Sequence, residues 1–104
     1  MSVSHGFHAT ITAQPGKGDA LVELLLGATA LQNEDCVVFL VGRSKSNPDT
    51  IFVTEGWVSQ EVHARFFASD LTKAYVAQIA QMVVGESQYV DEVPVGGKAA
   101  FARG

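Results

Sequence analysis

Cysteine is almost absent from this 104-residue chain: Cys36 stands alone, which excludes an internal disulfide and any zinc site built from several thiolates. It opens an apolar run, where a buried, inert thiol is the usual outcome. Basic residues are also few, seven Lys and Arg against eleven Asp and Glu, for a net charge of −4. They are scattered singly, whereas a nucleic-acid surface needs clustered cations to displace counterions, so no nucleic-acid partner is expected. Long apolar stretches are missing too: the longest, residues 36–41, is far too short to cross a bilayer, and no membrane association is expected. Met1-Ser2-Val3-Ser4-His5 offers neither the basic start nor the apolar segment of a leader, which makes the cytoplasm the expected location. The three histidines include no His-x-His or His-x-x-x-His pair with a carboxylate, so no metal is expected. Gly16-Lys17-Gly18 lacks the remaining spacing of a phosphate loop, and no dinucleotide fingerprint occurs, so no cofactor is expected either.

What is present is an apolar fraction of 47% and a charged fraction of 17%, the balance of a globular protein long enough to close one core. A single domain over residues 1–104 is expected, with its core at 6–93 and a tail, loose or docked on a partner, at 94–104. Residues 6–14 alternate Phe7, Ala9, Ile11 and Ala13 with polar neighbours, the period of a half-buried strand. Pro15-Gly16-Lys17-Gly18-Asp19 breaks it and starts a helix with Asp19 in its first turn; Leu21, Leu24, Leu25, Ala28 and Leu31 mark the apolar face. Residues 36–42 are apolar at both parities, with Val37, Phe39 and Val41 on one face and Val38 and Leu40 on the other. A strand of that kind needs cover on two sides.

Ser44-Lys45-Ser46-Asn47-Pro48-Asp49 reads as a hairpin loop, and residues 50–58 as a third strand, again apolar at both parities. Ser59 is a helix N-cap; a break at Ser69-Asp70 recaps a second piece along Leu71, Ala74, Tyr75, Gln78, Ile79 and Met82. The last strand is expected at 83–93. The order strand, helix, strand, strand, helix, strand is the split pattern of a ferredoxin-like α+β domain, a four-stranded antiparallel sheet with helices on one face. The apolar residues on its other face predict a homodimer packed sheet against sheet.

Several short motifs carry a resemblance over residues 7–93: Ala13-Gln14-Pro15-Gly16-Lys17-Gly18-Asp19 before the first helix, the Pro48-Asp49 hairpin, Glu55-Gly56-Trp57 closing the third strand, and Phe66-Phe67-Ala68-Ser69-Asp70 in the helical region. Together with the layout they resemble the antibiotic biosynthesis monooxygenase family, dimeric α+β barrel proteins that include quinol monooxygenases and haem-degrading enzymes. The resemblance implies an oxygenase working without a tightly bound cofactor on a small aromatic substrate and dioxygen, in a pocket between the sheet and helices of one protomer. Trp57 looks like the family's strand-end tryptophan, which lines the pocket in several members; a core anchor is the other reading. Many quinol-type members carry two helix histidines where this chain has Arg65-Phe66-Phe67 and Asp70-Leu71-Thr72. The axial histidine of haem-degrading members would fall near Ala74-Tyr75-Val76, which offers no imidazole to iron.

Residues 49–67 therefore hold the expected chemistry. His63 lies on the helical side of Phe67, four residues away, and its imidazole suits proton abstraction from a phenol or quinol; the alternative is a half-exposed surface residue beside Arg65. Glu55 shares the sheet face of Trp57 and, if buried, needs a partner, with Arg43 or Arg65 available; a pocket base is the second reading. Tyr75 can aim its hydroxyl into the pocket. Phe39, Phe52, Phe66, Phe67 and Met82 complete the expected wall. His5 and His8 point to opposite faces of the first strand and cannot share a metal. Two further readings stay open: a non-catalytic protein that holds or protects a small molecule, and an isomerase of a small oxygenated metabolite.

Overall fold

A computed structural model describes residues 3–97. The elements run β1 (His5–Thr12), α1 (Gly18–Leu26), a 3-10 turn (Thr29–Gln32), β2 (Cys36–Arg43), β3 (Thr50–Trp57), α2 (Gln60–Phe67), α3 (Asp70–Ala80) and β4 (Gln88–Glu92). The strands form one sheet in the order β2-β3-β1-β4, every pair antiparallel, which is the ferredoxin-like α+β arrangement. Of the expected tail only the part up to Gly97 is described; residues 98–104, like Met1 and Ser2, lie outside the described residues.

Register explains which side chains meet. Phe7 faces Glu55 on β3 and Asp91 on β4; Ala9 faces Val53 and Tyr89; Phe39 and Val41 on β2 face Glu55 and Val53. Because parity alternates, these residues share the sheet face that the helices cover. Ala9, Ile11, Ala13, Leu21, Leu25, Ile51 and Val53 form the buried centre. Burying each large aliphatic among them contributes about 1.5–3 kcal/mol. One irregularity changes a face: a bulge between Cys36 and Val38 pairs Cys36 with Trp57, so the thiol packs into the Trp57 cluster with Ala28 and Ala30. Simple alternation would have left it on the side of Val38.

The helices begin where capping chemistry allows. Ser59 accepts from the Val62 amide at 3.2 Å and Ser69 from the Thr72 amide at 3.3 Å, so both serines cap as their positions suggest. Asp49 reaches back across the hairpin to the amides of Gly16 and Gly18, at 3.2 and 2.9 Å, and fixes the turn that starts α1. A Cβ on Gly18 would collide with the Pro48 carbonyl, so this close approach requires glycine.

Two expectations about elements are corrected. The face drawn through Ala28 and Leu31 is not one helix: α1 stops at Leu26, Gly27 caps it, and Leu31 is exposed on the 3-10 turn while Ala28 and Ala30 pack on Trp57. The last strand is shorter than 83–93. Val83 makes only an isolated bridge to Ala13, and Gly85 at φ 65° turns the chain before pairing resumes at Gln88. On the face away from the helices, Leu40, Phe52 and Val90 are 39%, 43% and 52% exposed, so the expected apolar face is open in the single chain. Among the described residues no helix is long and apolar enough to cross a membrane.

Candidate active site

Between the helix-covered sheet face and the helices lies a cavity of about 400 Å³. Its floor is Phe7, Ala9 and Ile11 from β1, Phe39 from β2, and Val53 and Glu55 from β3. The roof is His63 and Phe67 from α2, with Tyr75, Val76 and Ile79 from α3; Leu25 closes one side. Tyr89 and Asp91 project from edge strand β4, and both are exposed, so they form the solvent-side margin. A smaller hollow of about 50 Å³ shares Glu55, His63, Phe67 and Tyr75 with it and continues toward Thr29, Phe66 and Thr72.

The expected site residues fall into two groups. His63, Tyr75, Glu55, Phe39 and Phe67 converge on the main cavity, and Phe66 lines the smaller hollow. Trp57, Phe52 and Met82 do not reach either space. Trp57 is fully buried and packs against Ala28, Ala30 and Phe66, the core-anchor position. Phe52 has the parity opposite to Ile51 and Val53 and stands on the open face. Met82 follows α3 and packs against the aliphatic core. Tyr89 and Asp91 escaped the sequence reading, although they share a parity with the core-facing side of β1 once β4 is in register.

Among the described residues Glu55 has no arginine partner, contrary to the ion pair expected with Arg43 or Arg65. Arg43 instead bonds Asp19 at 2.8 Å, and Arg65 is exposed on α2. The Trp57 indole N–H donates to Glu55 Oε1 at 2.8 Å, a contact that the two residues' shared face permits. Burial raises the Glu55 pKa above the usual carboxylate value and outweighs the opposing effect of that hydrogen bond. Cys36 lies close enough to Glu55 to feel its charge, and burial together with that charge pushes the thiol up to about 12, leaving it inert.

His63 sits within a ring of aromatic groups. Its imidazole stacks on Phe67 at 5.7 Å, as the four-residue helical spacing requires, and tilts against Trp57 at 5.2 Å, Phe7 at 5.5 Å and His5 at 5.1 Å. Burial lowers its pKa first, His5 adds to the lowering, and Asp91 opposes it. At neutral pH the ring is therefore held uncharged, with a lone pair free to take a proton. Tyr75 is its complement: burial and the Glu55 charge raise the phenol pKa, so the hydroxyl stays protonated. That oxygen is buried and finds no hydrogen-bond partner among the described residues. A buried donor left unpaired costs about 1–3 kcal/mol, which a ligand oxygen would relieve only after the Tyr75 side chain turned its hydroxyl into the cavity. The cavity thus offers one base and flat apolar walls, with a phenol hydroxyl closed off behind one of them.

Comparison with known proteins bears on what uses such a cavity. The family model described as antibiotic biosynthesis monooxygenase matches residues 5–78. A candidate antibiotic biosynthesis monooxygenase of Chloroflexus aurantiacus superposes with a TM-score of 0.80 at 26% identity, over 93% of this chain and 97% of that one. Proteins given the same description from Caulobacter crescentus (TM-score 0.78, 22% identity, 90% and 92% covered) and Deinococcus radiodurans (0.74, 19%, 96% and 99%) share the fold. Among curated proteins none matches significantly. With its fold, its cavity between sheet and helices and a family match across most of its length, this chain belongs to the antibiotic biosynthesis monooxygenase family.

Proposed function

We propose that the chain is a monooxygenase acting on a quinol or polycyclic phenol in the cavity under α2 and α3. The observation that carries this reading is an imidazole kept neutral by burial in the roof of one aromatic cavity, with the protonated, unpartnered Tyr75 hydroxyl closed off behind its wall. His63 takes a phenolic proton, and the resulting anion passes one electron to dioxygen. The two radicals combine with formation of a C–O bond, the O–O bond breaks, and one oxygen leaves as water. A quinol plus dioxygen gives a hydroxyquinone plus water, with all four electrons supplied by the substrate, so the balance closes without another reductant. A turn of Tyr75 toward the cavity lets its hydroxyl hold the substrate oxygen, and Phe7, Phe39 and Phe67 stack against the ring. Trp57 supports the site indirectly by anchoring Glu55.

Oxygen consumption separates this reading from its rivals. Addition of a quinol panel is expected to give uptake that His63→Gln lowers about 10²-fold or more, the usual worth of a positioned base. Tight binding with no turnover would make the chain a binding or protective protein. Product formed without oxygen uptake would make it an isomerase.

We infer further that a second copy of the chain covers the open sheet face. Leu40, Phe52 and Val90 lie exposed there, an apolar surface that a two-fold sheet-to-sheet contact would bury.

A further inference from the structure

The polar groups lining the cavity are Glu55, His63, Tyr75, Tyr89 and Asp91; among the described residues no Lys or Arg lines it. Asp91 stands at the solvent-side margin, opposite Phe7 in the β1–β4 register, and makes no ion pair or side-chain hydrogen bond among the described residues. Beside it the rings of Phe7 and Tyr89 lie 6.0 Å apart and tilted at 55°, so two aromatic rings and one carboxylate border the same entrance. That combination receives a cation, which gains from the ring quadrupoles and from the carboxylate together. An anionic ligand meets the reverse: it must shed water beside Asp91, with Glu55 further in and no Lys or Arg to pair with among the described lining residues.

We propose that the ligand of this cavity is a flat aromatic molecule carrying an ammonium group, which sits between Asp91 and the rings of Phe7 and Tyr89, and that carboxylate analogues are rejected. The proposal rests on the reading above only in taking this cavity as the substrate site. It adds a charge preference that neither the fold nor the reaction requires.

Binding of three matched 2-naphthols, bearing methyl, aminomethyl or carboxyl at the ring position farthest from the hydroxyl, tests it by calorimetry at pH 7 under nitrogen. The aminomethyl compound is expected to bind at least about fivefold more tightly than the methyl compound, the upper range for a solvent-accessible ion pair with some cation–π help. The carboxyl compound is expected to bind most weakly, and the amine preference to fade at high salt. Asp91→Asn should lower the ratio of amine to methyl affinity about twofold or more, leaving only the part due to the rings, and Asp91→Glu should restore it. Equal or tighter binding of the carboxyl compound, or a ratio that Asp91→Asn leaves unchanged, overturns the proposal. Failure of all three to bind overturns it together with the cavity as an aromatic site. Oxygen uptake without charge preference sinks the ligand class alone, and charge preference without oxygen uptake sinks the monooxygenase alone.

Discussion

Tyr75 and His63 carry opposite instructions at the residue scale. Removing the unpartnered Tyr75 hydroxyl by Tyr75→Phe should leave the melting temperature unchanged or slightly raised, because a buried donor costing about 1–3 kcal/mol disappears. The same change should weaken quinol turnover through KM and kcat together; a fall in both stability and activity would mark Tyr75 as a packing residue instead. For His63 the base must be neutral, and burial and His5 lower its pKa while Asp91 opposes them. Activity should therefore persist below the ordinary histidine range and fall only as pH drops through the lowered value. Tyr75 across the cavity has a raised value and takes no part in that acid limb, whereas the raised Glu55 value moves toward it, so the limb belongs to His63 only if His63→Gln removes it. A kcat/KM profile whose acid limb lies at or above about 6.5, the unperturbed histidine value, would contradict it. Linkage gives the same sign for stability: the unfolded chain binds the proton first, so this contribution is present above the ordinary value and lost as pH falls toward the folded one. His63 and Phe67 could be read from their spacing in sequence. The Glu55 partner could not, since pairing two positions apart on one strand competed with distant arginines that only the fold could place.

At the scale of elements, the caps were the most legible feature. Ser59 and Ser69 each satisfy an amide three residues on, and Ser59→Ala or Ser69→Ala should cost about 1 kcal/mol each by chemical denaturation. An unchanged midpoint for both would remove the caps from the account. The β1, β2 and β3 patterns were legible because alternation or strong apolar runs survive in them. The end of α1 and the length of β4 were not: apolar residues at 28 and 31 keep a helical spacing through a 3-10 turn, and Val83 and Val84 look like strand just before the turn at Gly85. Phe52 failed as a wall residue for a similar reason. In a strand apolar at both parities, composition cannot say which face meets the helices.

For the whole molecule, the layout followed from element order, while the cavity did not. It needs the register that brings Asp91 and Tyr89 of β4 beside Phe7 and Ala9, and no local pattern encodes register at a distance. The open face makes its own prediction. Phe52→Asp should convert a sedimentation mass near twice the chain to that of one chain; a monomer before substitution would contradict the second copy, as would a dimer that survives it. The central claim concerns the fate of dioxygen in the cavity. It is tested most directly by turnover of an accepted quinol under ¹⁸O₂: one labelled atom in the hydroxyquinone and the other in water is the predicted result, with the label slowed into product by His63→Gln. Product free of label, or label entering equally fast in His63→Gln, would contradict it.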